Sequence, residues 1–202
     1  MLQPRAALTH ERVLSAFQDA SATFLTTIRD VRGWEAAGLG EWTVRELVAH
    51  TLRAYTTIET YLDAEPSTNN VIDNATAYYR TVMSAPGVHE GVAQRGHDAG
   101  RELTDPLAQS DETATRIMAL VMDTPGEQTV ENFAGKITFT EYLATRTVEL
   151  ALHTLDIQAA IGRRPAMPSH VTTLCLDVLL PLADDIELLR AISGRGTLDV
   201  LG

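Results

Sequence analysis

TEYLATRTVELALHTLDIQAAI, residues 140–161, reads as one long helix that carries more than one polar seam. At about 100° per residue, Arg146, Glu149, His153 and Asp156 fall within one arc of roughly 80°. Leu143, Val148, Leu150, Leu152, Leu155, Ile157 and Ile161 surround that arc, and a second, neutral arc holds Thr147, Ala151, Thr154 and Gln158. Gly162 and Pro165 supply the stop signals. Two readings of the charged arc stand. In one it is the solvent face, and Glu149 with His153 is a surface pair at i, i+4. In the other, the neutral arc lies against solvent or a neighbouring helix, and the ionisable seam faces a water-filled cavity between helices.

Working back along the chain, a second long helix is expected from Thr43 to about Ala64. Thr43 caps the backbone, Glu46 three positions on returns the bond, and Trp42 is placed to pack on Leu47, so a capping box and a hydrophobic staple coincide. On this helix His50 lies on the flank of the apolar stripe Val44, Leu47, Val48, Thr51, Tyr55, Ile58 and Leu62, which turns its imidazole inward. A lone histidine there is also well served by a hydrogen bond inside the core. Yet Glu149 and His153 at i, i+4 are spaced to share one ion, and His50 from a facing helix would complete three protein ligands. One coordination position would then stay open, as in catalytic rather than structural zinc sites.

Both helices contain E-x-x-x-H, at Glu46–His50 and Glu149–His153, which raises the question of a two-metal centre. Di-iron bundles use Glu-x-x-His pairs with further carboxylates from two other helices. The spacing here is one residue longer, and Glu46 is accounted for by the capping box. His10, His89, His97 and His170 have no spaced partner and are expected at the surface.

The remaining elements follow the same signals. Val13, Phe17, Ala20, Phe24, Leu25 and Ile28 recur at three- and four-residue intervals, giving a helix from Thr9 to about Arg32 closed by Gly33. A short helix is expected from Ala75 to Met83, interrupted by SAPG. A third long segment begins near Val88 and is expected to kink at Asp105-Pro106, because proline removes a helical donor. PGEQTVENFAGK is the only stretch with strand-like content and is read as a loop or short extended structure. From Pro168 onward one or two further helices are expected. Four long helices with their connections describe an all-α chain organised as a four-helix bundle, residues 1–165, with a short helical extension, residues 166–202.

Composition narrows the partners. Sixteen basic against twenty-seven acidic residues give a net charge of −11, a field that repels nucleic acid and anionic lipid alike. No stretch approaches the roughly 20 apolar residues that span a bilayer, and MLQPRAALTHERVL lacks the pattern of a signal peptide. A cytoplasmic location is expected, with no membrane or nucleic-acid partner; a homodimer is left open. The single cysteine, Cys175, sits in an apolar helical run and reads as a core filler. Fifteen of the sixteen basic residues are arginine, with Lys136 the one lysine, as codon bias in a high-GC bacterial genome produces.

Two motifs together carry a family resemblance. They are W-T-V-x-E-L-V-A-H from Trp42 to His50, and Arg146-Thr-Val-Glu149-Leu-Ala-Leu-His153-Thr-Leu-Asp156. The chain resembles the mycothiol-dependent maleylpyruvate isomerase family, a branch of the DinB-like metalloprotein superfamily, from the first helix to about Pro165 and again at SGRG near the end. The resemblance implies a DinB-like four-helix bundle with a divalent metal, zinc, held by His50, Glu149 and His153, and mycothiol as cosubstrate. It also implies a thiol-dependent transfer to, or isomerisation of, an electrophilic small molecule. Arg146 and Arg53 are candidates to hold carboxylates of thiol or substrate, and Asp156 to orient His153; ordinary ion pairs on a helix surface account for these three equally well. The isomerase of the family carries a full second domain, for which the residues after Pro168 are too few, so another electrophile than maleylpyruvate is expected. A non-catalytic DinB-like metal-binding protein and a thiol-independent metal-assisted hydrolase are the alternatives.

Overall fold

A computed structural model describes residues 8–65, 70–84 and 92–201, the side chains of Val92 and Ala93 excepted. Among the described residues the chain is mostly helical, with one small two-stranded sheet. Helix α1, His10–Arg29, is capped by the Thr9 hydroxyl and buries Val13, Phe17, Ala20, Phe24 and Ile28, the residues its periodicity marks out. Burying each such side chain contributes on the order of 2 kcal/mol.

The expected second helix is split in two. Helix α2 spans Val44–Thr51 and helix α3 spans Arg53–Leu62, with Leu52 between them. At the joint the Tyr55 N–H donates to the Leu52 carbonyl (3.0 Å), an i to i+3 bond that tightens the turn without proline or glycine. The capping box at Thr43 is present in full: the Thr43 N–H donates to Glu46 Oε2 (2.7 Å) and the Glu46 N–H to Thr43 Oγ1 (3.3 Å). Helix α4 spans Ala75–Ser84, close to expectation, and its first N–H donates to Glu141 Oε2 (2.9 Å).

The third long segment is two helices, α5 at Val92–Glu102 and α6 at Pro106–Asp123. Asp105-Pro106 is a break rather than a kink, because Asp105 caps α6 through the Ala108 N–H (3.1 Å) and Pro106 occupies the first turn, where no donor is needed. The start expected near Val88 and the SAPG interruption fall largely outside the described residues.

The strand-like stretch is an antiparallel hairpin of β1, Thr129–Asn132, and β2, Gly135–Thr138, in which Val130 faces Ile137. Residues 70–72 run beside β2, with the Ile72 N–H donating to the Lys136 carbonyl and the Lys136 N–H to the Asn70 carbonyl, both at 2.8 Å.

Helix α7, Phe139–Ala160, runs through the middle. It packs on α1, α2, α3, α4, the hairpin and α8, Ser169–Leu179, while α6 packs on α1 and α3. A helix touched on so many sides has little solvent face. A 3-10 turn at Leu180–Leu182 and helix α9, Asp185–Ile192, complete the described chain. Among the described residues no helix is long and apolar enough to cross a membrane.

Candidate functional site

The two polar seams of α7 face opposite ways. Thr147, Thr154 and Gln158 are fully buried. Gln158 Nε2 donates to Thr27 Oγ1 on α1 (3.1 Å) and to the Ala166 carbonyl (3.0 Å), and its Oε1 accepts from the Ala166 N–H (2.7 Å). The neutral arc therefore lies against a neighbouring helix. The charged arc turns the other way, where Arg146, Glu149 and His153 line a cavity of about 190 Å³ with His50, Arg53 and Arg95. Tyr61, Tyr78, Tyr79, Val82 and Phe133 form much of the rest of its wall.

His50 and His153 meet edge to face, with ring centroids 5.0 Å apart. His153 Nε2 lies 3.6 Å from Glu149 Oε2, and His153 Nδ1 lies 3.2 Å from Asp156 Oδ2. Trp42 covers His50 on another side, its ring centroid 4.6 Å away. Trp42 is itself pressed against α5, where a Cβ on Gly96 would come within 2.4 Å of its ring. The next glycine on that helix face, Gly100, lies as close to Glu46. These two glycines let α5 lie directly on α2.

The electrostatics separate the two histidines. Burial, reinforced by the neighbouring His153, pushes His50 down to about 4, so its imidazole is neutral at pH 7. Its Nδ1 is buried without a hydrogen-bond partner among the described residues. Burial alone would lower His153 too, but Asp156 and Glu149 raise it above the usual histidine range. Burial would raise Glu149, yet hydrogen bonding to His153 and the charge of Arg146 hold it well below the usual carboxylate range. At neutral pH the cavity thus presents an ionised carboxylate, a neutral imidazole and a charged imidazole.

Arg146 is buried, 8% exposed, and its guanidinium lies over the rings of Tyr142 (5.0 Å) and Tyr78 (5.8 Å). Its Nε donates to Thr145 Oγ1 (3.1 Å). Burial would lower its pKa, but the Tyr142 and Tyr78 hydroxyls and Glu149 raise it, so it stays charged. Arg53 lines the cavity from α3 and is exposed. Asp156 touches His153 and is not part of the cavity wall.

Sequence reasoning missed Tyr79, whose hydroxyl lies 2.8 Å from Glu149 Oε1 and 3.2 Å from the Thr145 carbonyl. The Tyr78-Tyr79 pair was the available signal, since two adjacent large aromatics stand out in the helix ATAYYRTVMS. Arg95 and Phe133, on α5 and at the hairpin turn, were also missed. His97 is corrected: its Nδ1 lies 2.7 Å from Glu46 Oε1, so it clamps α5 to the start of α2 rather than pointing idly into solvent. Against the raising effect of burial, that contact and the Thr43 bonds lower the Glu46 pKa. His10 and His170 also have partners, Thr140 and Asp19. His89 lies outside the described residues. Cys175 is buried, its thiol pushed up to about 12 by burial.

The donor chemistry suits a divalent ion that displaces the His153 proton: two imidazoles, one with a buried nitrogen unpartnered among the described residues, and a carboxylate one helical turn from the second. No three His, Cys, Asp or Glu side chains among the described residues are grouped closely enough to hold an ion as they stand.

Fold and cavity define a predominantly helical protein with a polar, arginine-lined pocket between its helices. The chain belongs to the family described as the mycothiol maleylpyruvate isomerase N-terminal domain, which it matches over residues 14–158, well over half its length. No curated protein and no solved structure matches it.

Proposed function

We propose that the chain is a zinc-dependent enzyme of the DinB-like four-helix-bundle type that uses a low-molecular-weight thiol, such as mycothiol, to modify an electrophilic small molecule. The bundle is residues 1–165, with 166–202 as a helical extension. His50, Glu149 and His153 are the proposed ligands. The observation that carries this reading is His50: a neutral, half-buried imidazole whose buried Nδ1 has no hydrogen-bond partner among the described residues, set against His153 and sharing a cavity wall with Glu149, in a chain of a mycothiol-related family. An unpaired buried nitrogen costs roughly 1–3 kcal/mol, which a ligand bond would offset.

A zinc ion held there supplies a Lewis acid that favours the thiolate form of a bound thiol, the form that attacks electrophiles. The residues of the chain do the rest. Tyr79 fixes one oxygen of Glu149, leaving Oε2 turned toward His153. Asp156 holds His153 by Nδ1, which leaves Nε2 for the ion. Arg146 and Arg53 supply positive charge for an anionic group of the thiol or the electrophile. At about 190 Å³ the cavity has room for one small reactant, with the bulk of a larger thiol outside.

The test is elemental analysis of the purified chain beside His50→Ala, followed by titration with mycothiol, glutathione and bacillithiol. One zinc per chain, lost in the variant, and thiol binding confined to the metal-loaded chain are expected. Equal metal in both proteins ends the ligand assignment. Failure of every thiol to bind ends the thiol assignment.

A further inference from the structure

The cavity is positive inside an acidic protein. Arg53 and Arg146 stand in its wall against one carboxylate, Glu149, while the whole chain carries −11. A local field of that sign, set in low-dielectric walls, gathers small anions. Arg146 is the deeper of the two. Among the described residues no carboxylate oxygen lies within ion-pair distance of it, though the charge of Glu149 is near, and it is held by the Tyr78 and Tyr142 rings, the Tyr78 hydroxyl and the Thr145 hydroxyl. A buried guanidinium held by aromatic faces keeps donors for a planar, two-oxygen group.

A second feature is independent of charge. Phe133, at the turn of the hairpin, is 62% exposed and belongs to the cavity wall. Its ring lies 6.4 Å from that of Tyr78, nearly edge to face, Arg146 lies 5.8 Å from the same Tyr78 ring, and all three residues line the cavity. Tyr78 thus links an exposed apolar rim to a buried cation, and one small molecule can touch both. Size agrees: cavities of roughly 150 Å³ accept a benzene ring, so about 190 Å³ holds one ring with a small polar group attached.

We infer that the cavity binds an aromatic carboxylic acid, its carboxylate on Arg146 and its ring against Phe133 and Tyr78. This gives the substrate of the proposed reaction its anchoring group, a carboxylate beside an aromatic ring, with the electrophilic carbon elsewhere in the molecule, and it rests on that reading for its place in a reaction. Binding itself needs neither the metal nor the thiol.

The experiment titrates the full chain, treated with chelator and separately loaded with zinc, with benzoate, acetate, benzyl alcohol and phenyl phosphate, followed by calorimetry. In both forms benzoate binds roughly tenfold or more tighter than acetate or benzyl alcohol. Phe133→Ala, an exposed site that leaves folding intact, weakens benzoate about three- to tenfold, as loss of one ring contact does, and leaves acetate unchanged. Arg146→Gln removes benzoate binding while the circular dichroism of the chain is retained. Benzyl alcohol binding as well as benzoate, or benzoate binding unaltered in Phe133→Ala, overturns the inference. Phenyl phosphate binding more tightly than benzoate replaces carboxylate by phosphate and overturns it as well. Binding confined to the zinc-loaded chain and indifferent to Phe133→Ala makes the acid a metal ligand only, which also sinks it. Benzoate binding to a chain that takes up no thiol supports the inference and removes the proposed function, so the two fail separately.

Discussion

One helix, α7, carries two polar seams with different fates. On the side facing α1, Thr147 and Thr154 return their hydroxyls to carbonyls four residues back, at 2.8 and 2.6 Å, and Gln158 is bonded at both ends of its amide. On the side facing α2, α3 and α4, Arg146, Glu149 and His153 hold charge around an open cavity, and His50 opposite them has a nitrogen without a partner among the described residues. Neutral polar groups can be buried cheaply because local backbone satisfies them. Charged groups need more than a carbonyl of their own backbone, so on this side they pair with one another along α7, as His153 does with Glu149 and Asp156, and border the open space of the cavity.

The largest effect that would sharpen this contrast is on metal. Glu149→Ala is expected to bring zinc bound by the purified chain to background while the far-ultraviolet dichroism stays native; retained zinc would remove the distinction between the seams. Next comes the thiol on the closed side. Cys175 sits on α8, which packs on α1 and α7, and its folded pKa is raised to about 12. Because the raised value keeps it protonated throughout pH 6–9, alkylation at pH 8 should run on the order of a thousandfold slower in the native chain than in urea. Fast native labelling would mean that the closed side opens.

Gln158→Ala strands Thr27 and both backbone groups of Ala166, and should cost about 2–3 kcal/mol in urea unfolding with no change in zinc content. Tyr79→Phe should act the opposite way, weakening zinc in a chelator competition by roughly ten- to a hundredfold with little effect on the urea midpoint. A loss of stability without a change in zinc affinity would make Tyr79 a packing residue only. The smallest effect belongs to Thr147→Val, within about 1 kcal/mol, because hydroxyl and methyl are nearly the same size and the lost bond goes to a carbonyl already in the helix.

Much of the chain was legible. The α1 stripe, the Thr43 start, α4 and the long run of α7 follow from periodicity and caps, which are local properties. The break at Leu52 was not legible, since no glycine or proline marks it. The strand-like content of PGEQTVENFAGK was legible, but its pairing into a hairpin was not, because strands of four residues each are too short to separate from loop by alternation. His97 looked isolated because its partner, Glu46, is 51 residues away, and Tyr79 because Glu149 is 70 away.

By itself the sequence determined which residues could share a helix face, and so grouped Arg146, Glu149, His153 and Asp156 and set His50 inward on another helix. It also determined the acidic net charge and the family to which the chain belongs. Which way each seam of α7 faces was decided only by tertiary packing. A helical wheel fixes angles around one axis, whereas burial depends on the neighbours around it, and the neutral seam could as well have met water. Packing α1 against Gln158 turned the charged seam into the cavity, and the same packing brought Tyr79, Arg95 and Phe133 to its wall from elements distant in sequence.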